Sequence, residues 1–117
     1  MAITIYHNPQ CGTSRTVLEA LTDGGHAPKV VEYLKVGWTE AQLKDLFSRM
    51  GVTAREMLRT KGALAEELGL TDPAVGDAAI LTAMVVHPVL VERPIVVTPK
   101  GVFLCRPATK LEAALAA

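Results

Sequence analysis

The sequence predicts a small α/β domain with a mixed four-stranded sheet and a helical insertion, and three features carry that expectation. The β-branched run AITIY (2–6) is followed by a helical stripe and then by PKVVEYL (28–34), the order of a strand–helix–strand unit. The middle of the chain reads as successive helices. The last third, PIVVTPKGVFLC (94–105), reads as a hairpin before a final helix. A chain of 117 residues suits one domain, taken here as residues 1–117.

AITIY ends at Asn8-Pro9, as a buried strand does before a turn. From Thr13 onward Val17, Leu18, Ala20 and Leu21 share one helical stripe, and Gly24-Gly25 closes it. The strand at 28–34 should then pair parallel to the first through a right-handed crossover. Thr39 and Gln42 form a capping box, with Trp38 and Leu43 placed as a hydrophobic staple. Leu43, Leu46, Phe47 and Met50 follow at helical spacing, and Gly51 sits where a C-terminal cap belongs. Thr53 and Glu56 predict another short helix carrying Met57 and Leu58, and ALAEELG (63–69) a third. Asp72-Pro73 predicts the start of a helix over 73–87 that Pro88 stops. In the hairpin, proline at the second and glycine at the fourth position of Thr98-Pro99-Lys100-Gly101 suit a type I turn. PATKLEAALAA (107–117) finishes as a helix.

Half of the residues are apolar, so a substantial core needs no covalent staples, and twelve basic residues balance twelve acidic ones. That balance argues against a nucleic-acid partner. The N-terminus lacks the pattern of a secretory signal, and no apolar run reaches the roughly 18 residues of a membrane span. A cytoplasmic location without membrane attachment is expected. The two cysteines, Cys11 and Cys105, are far apart and form neither a disulfide scaffold nor a zinc pattern. No metal site and no bound cofactor are expected.

Cys11 lies in HNPQCGTSR (7–15), at a strand-to-helix junction where unpaired amides and the helix dipole favour negative charge. Such positions lower a thiol pKa, and the thiolate is the nucleophile. Gly12 lets the backbone close tightly around whatever the thiol touches. Ser14 or Thr13 can cap the helix or donate to the sulfur, and a protonated His7, with help from Arg15, would favour the thiolate further. Cys105, in the strand VFLC, reads as a buried packing residue. A tyrosine-phosphatase loop would need arginine at position 17, where valine stands, and a Cys-x-x-Cys motif would need cysteine at 14, where serine stands. An adduct on Cys11 must therefore be resolved by an outside thiol, or by Cys105 if the fold brings it close.

ITIYHNPQCGTSR resembles the opening of the glutaredoxin-coupled arsenate reductases, and the likeness continues through REMLR (55–59), ELGL (67–70), HPVLVERPIVVTPKGVFLCRP (87–107) and the last helix. The resemblance covers essentially the whole chain. It implies a thioredoxin-like fold and reduction of arsenate to arsenite through a cysteine adduct, with glutathione as reductant and glutaredoxin as partner. It matches Cys11 to the nucleophile, His7 to a residue that helps lower its pKa and Ser14 to a supporting neighbour. Arg59, Arg93 and Arg106 match three arginines that hold the oxyanion, and Pro94 matches the cis-proline of the wider fold. Guanidinium forks suit tetrahedral oxyanions because they can bind two oxygens at once. Two other classes compete: a redox-regulatory module of the same fold, and a glutathione-dependent thiol oxidoreductase without arsenate activity. Ser14 and the arginine set argue against the first, and the arginine set argues against the second.

Overall fold

The computed structural model describes residues 2–116, which group into two compact units. One is formed by the chain up to Val36 and again from Arg93 onward; the other is Gly37–Glu92.

The first unit holds the whole sheet: β1 (Thr4–Tyr6), β2 (Lys29–Val31), β3 (Ile95–Thr98) and β4 (Gly101–Leu104). Their order is β2-β1-β3-β4, with β1 parallel to β2 and the other two pairs antiparallel. The parallel pair follows from its connection by α1 (Gly12–Asp23), since two parallel neighbours need a crossover rather than a tight turn. The antiparallel pair β3–β4 is joined by Pro99-Lys100 alone, with Thr98 opposite Gly101. Ile3, Ile5, Val17, Leu21, Val96, Cys105, Leu111 and Ala114 form one buried cluster between the sheet, α1 and α6 (Lys110–Ala116). Each fully buried Ile, Val or Leu there contributes about 1.5–3 kcal/mol of apolar burial.

The strand expected over 28–34 stops at Val31. Tyr6 is the last residue of β1 and pairs with Val31, and the His7 N–H closes the ladder on the Val31 carbonyl at 2.8 Å. With no further partner, the chain winds into α2 (Tyr33–Val36), whose Lys35 and Val36 N–H groups return to the Glu32 carbonyl. Tyr33 is buried there, whereas Leu34 and Val36 stay exposed.

In the second unit, α3 (Glu40–Met50) starts on the predicted box: Thr39 accepts from the Gln42 N–H, and the Gln42 side chain accepts from the Thr39 N–H. Gly51 ends it with φ +71°, a left-handed conformation that glycine adopts without strain. Leu43, Leu46 and Phe47 are its buried residues, and it contacts α5 (Asp77–Val86). α4 covers only Leu64–Glu67.

Two helical expectations in this unit fail for identifiable reasons. Thr53 and Glu56 do form a reciprocal box, at 3.0 and 3.1 Å, yet one turn is all that follows. Leu58 bridges Val91 in antiparallel fashion, and neighbouring bonds run from the Arg59 N–H to Leu90 and from the Glu92 N–H to Met57. Pairing with another segment outcompetes the helix. The helix expected from Pro73 begins instead at Asp77. Asp72 caps a local turn by accepting the Ala74 N–H, and Arg55 holds the Asp72 and Val75 carbonyls at 2.9 and 2.6 Å. Asp77, now in the first turn, accepts from the Ala54 and Arg55 amides. At the other end the helix stops at Val86 before Pro88, as expected.

Candidate active site

Three chain segments meet at one edge of the sheet. The β3–β4 register, with Ile95 opposite Leu104, continues one step as the Cys105 N–H bonds to the Pro94 carbonyl at 3.0 Å. One step further, Arg93 stands opposite Arg106. Because β1 pairs antiparallel to β3, with Tyr6 opposite Ile95, the loop that leaves β1 runs to the same edge. That loop carries Cys11.

The loop is wound by its own polar groups. The Asn8 side chain accepts the Gln10 N–H at 2.9 Å, and its carbonyl accepts the Cys11 N–H at 3.0 Å. Cys11 itself is the N-cap of α1, extended at φ −92° and ψ 122°. Its carbonyl accepts the Arg15 N–H, which begins the helix. Arg15, solvent-exposed, donates to the Pro9 carbonyl at 3.0 Å.

Cys11 is 7 % exposed, and its sulfur receives the Arg106 guanidinium, with Nη1 3.6 Å from Sγ. The same nitrogen lies 3.3 Å from the Arg93 carbonyl, tying the two arginines together. Burial alone would push the thiol up. Hydrogen bonds to the thiolate from the Ser14 amide and from the Arg93 and Arg106 side chains outweigh it, with the Arg93 charge adding to them, and the pKa falls to about 7. The peptide bonds Arg93-Pro94 and Arg106-Pro107 are both cis; the first was expected from the resemblance, the second was not.

His7 and Ser14 take different places from those the sequence suggested. Neither Ser14 nor Thr13 caps α1. The buried Ser14 hydroxyl oxygen accepts the Asn8 N–H at 3.1 Å and lies 2.7 Å from His7 Nδ1. Burial, and secondarily Arg15, hold His7 below its ordinary pKa although the Glu32 charge opposes them, so at neutral pH the imidazole is mainly uncharged. His7 braces Ser14 from inside the loop, and Arg93 and Arg106 are the cations that face the sulfur. Gly12 is the first residue of α1; a Cβ there would meet only Arg15 Nη2, at 3.9 Å. The chain itself does not require glycine at this position.

Arg59 belongs to the other unit. It follows the Ala54–Met57 turn instead of ending a helix, and its Nη1 donates to Glu92 Oε1 at 3.0 Å. Sequence reasoning missed Glu92 altogether. Its signal was its place in VERP, directly before Arg93. Cys105 is fully buried in the core cluster, and desolvation raises its thiol to about 11. Among the described residues, no group of three or more His, Cys, Asp or Glu could hold a metal ion, and no helix is long and apolar enough to cross a membrane.

A four-stranded mixed sheet with an activated cysteine on its first strand-to-helix loop defines a thioredoxin-like thiol protein. Comparison with known proteins narrows this class. A model of the ArsC family matches residues 6–114. The chain is 56 % identical to arsenate reductase ArsI2 of Synechocystis over 106 residues, 91 % of this chain and 76 % of the relative. It is 45 % identical to the arsenate reductase of Escherichia coli K12, covering 91 % of this chain and 75 % of the other. The solved arsenate reductase from Vibrio cholerae superposes with a TM-score of 0.88 at 41 % identity, over 96 % of this chain and 97 % of that one. The chain belongs to the ArsC family.

Proposed function

We propose that this chain reduces arsenate to arsenite, with Cys11 as nucleophile, and that residues 1–117 act as one arsenate reductase domain. The observation that carries the reading is the sulfur itself: a buried thiol with a pKa of about 7 beside the Arg106 guanidinium. The Cys11 thiolate attacks arsenic(V), and an arsenate oxygen leaves as water after taking up protons. Glutathione then attacks the adduct. Arsenic gains two electrons and departs as arsenite, while the sulfurs of Cys11 and glutathione are oxidised to a mixed disulfide. Because Cys105 is buried and held protonated, an external thiol must reduce that disulfide, and glutaredoxin with glutathione is the reductant of this reading.

In the same reading Arg93 and Arg106 bind arsenate oxygens and stabilise charge developing in the transition state. Arg59 is a third oxyanion ligand, an assignment supported by the family match. Gly12 leaves open space beside the thiol for substrate, and Ser14, held by His7, keeps its amide aimed at the sulfur. Arsenite release measured with glutathione and glutaredoxin, against thioredoxin as control, tests this. Cys11→Ser should abolish it and Cys105→Ser should retain most of it. Equal losses in the two variants would make Cys105 the resolving thiol and overturn the scheme. Thiol-disulfide exchange without arsenite release would instead leave a glutathione-dependent oxidoreductase.

A further inference from the structure

Glu92 sits where an acidic residue is unexpected, directly before Arg93 and on Arg59. The antiparallel bridge Leu58–Val91 explains how it gets there. Leu58 and Val91 are both buried, and by strand alternation the flanking residues share the opposite face, where Met57 and Leu90 are buried and Arg59 and Glu92 half-buried. Arg59 is opposite Leu90, so Glu92 is its diagonal neighbour on the same face, within reach of two long side chains. The pair closes at 3.0 Å with the side chains only 11 % and 21 % exposed. By contrast, the other three ion pairs among the described residues join partners that are each 36 % exposed or more.

We propose that Glu92 is a specificity-determining residue for oxyanion binding: its carboxylate fixes the pose of Arg59 and moderates its charge. The inference rests on the reading that Arg59 is an oxyanion ligand. A guanidinium has five N–H donors, so Arg59 can serve a second acceptor while Nη1 stays on Glu92. An anion that uses those donors does so beside a fixed negative charge. The carboxylate thus weakens binding of all anions, and weakens it most for the most highly charged.

The test is protection of Cys11 from iodoacetamide in the full chain, with arsenate, doubly charged sulfate and singly charged perchlorate as probes. Glu92→Gln keeps an oxygen that accepts from Arg59 but removes the charge. It should lower the half-protecting concentration of arsenate and sulfate by about three- to tenfold, and that of perchlorate by less. Glu92→Ala also frees the guanidinium to move and should recover less of that gain. An unchanged or weaker response to sulfate in Glu92→Gln, or an equal gain for perchlorate, overturns the proposal. Arg59→Ala separates the two levels. If it weakens arsenate protection while Glu92→Gln has no effect, the role of Glu92 alone fails; if it has no effect, the assignment of Arg59 fails and takes the inference with it.

Discussion

Replacing Arg106 by methionine keeps much of the side chain's length and removes the guanidinium whose Nη1 lies 3.6 Å from Cys11 Sγ. The thiol falls from an ordinary 9.0 to about 7, a preference for the thiolate worth about 2.7 kcal/mol. Burial acts in the opposite direction. The Ser14 amide, Arg93 and Arg106 together therefore supply more than that amount, and Arg106 acts after the other two donors in rank. Assigning it roughly 0.7–1.4 kcal/mol moves the alkylation midpoint upward by about 0.5–1 pH unit. At pH 7 the thiolate fraction then drops from about one half, and the alkylation rate falls by roughly two- to fivefold. The assay is the rate of iodoacetamide labelling of Cys11 against pH in a Cys105→Ser background. Arg49→Met is the control, since Arg49 pairs with Asp45 on the exposed face of α3. A midpoint in Arg106→Met equal to that of Arg49→Met would refute the argument that this guanidinium holds the thiolate.

Two further outcomes follow from the same geometry. Burial raises the Cys105 thiol to about 11, so the folded state resists its ionisation. Its stability contribution is fully present below the unfolded value near 9 and is lost as pH rises toward 11. Denaturant titrations from pH 8 to 11 should show the wild type losing up to about 2 kcal/mol more than Cys105→Ala; parallel curves would mean the thiol ionises freely in the fold. Gly12→Ala meets no close neighbour and replaces glycine in the first turn of a helix, so the thermal midpoint should hold or rise, by up to about 1 kcal/mol in stability. If Gly12 keeps space for substrate, the same variant should require more arsenate to protect Cys11 from alkylation. Unaltered protection would remove Gly12 from the site.

The sequence alone determined those parts of the fold that rest on local chemistry. The Thr39–Gln42 box, the left-handed Gly51 cap, the stop at Pro88 and the two-residue hairpin connection are each decided within a few residues, and each stands as expected. Cys11 at a helix start was legible for the same reason. Even the meeting of Arg93 with Arg106 was implicit, because pairing Thr98 with Gly101 puts 93 opposite 106. Tertiary structure decided what local signals left open. The Thr53–Glu56 box was a sound helix signal, but the bridge to Val91 took its backbone groups. Asp72-Pro73 was another, yet Arg55 clamped the carbonyls that followed and moved the helix start to Asp77. His7 looked like a cation for the thiol until burial disfavoured its charge and turned it toward Ser14. Glu92 acquired meaning only when pairing across 33 positions of sequence set it on Arg59. Burial and long-range pairing are properties of the assembled chain, and these decided which charges survive and which backbone groups remain free for a helix.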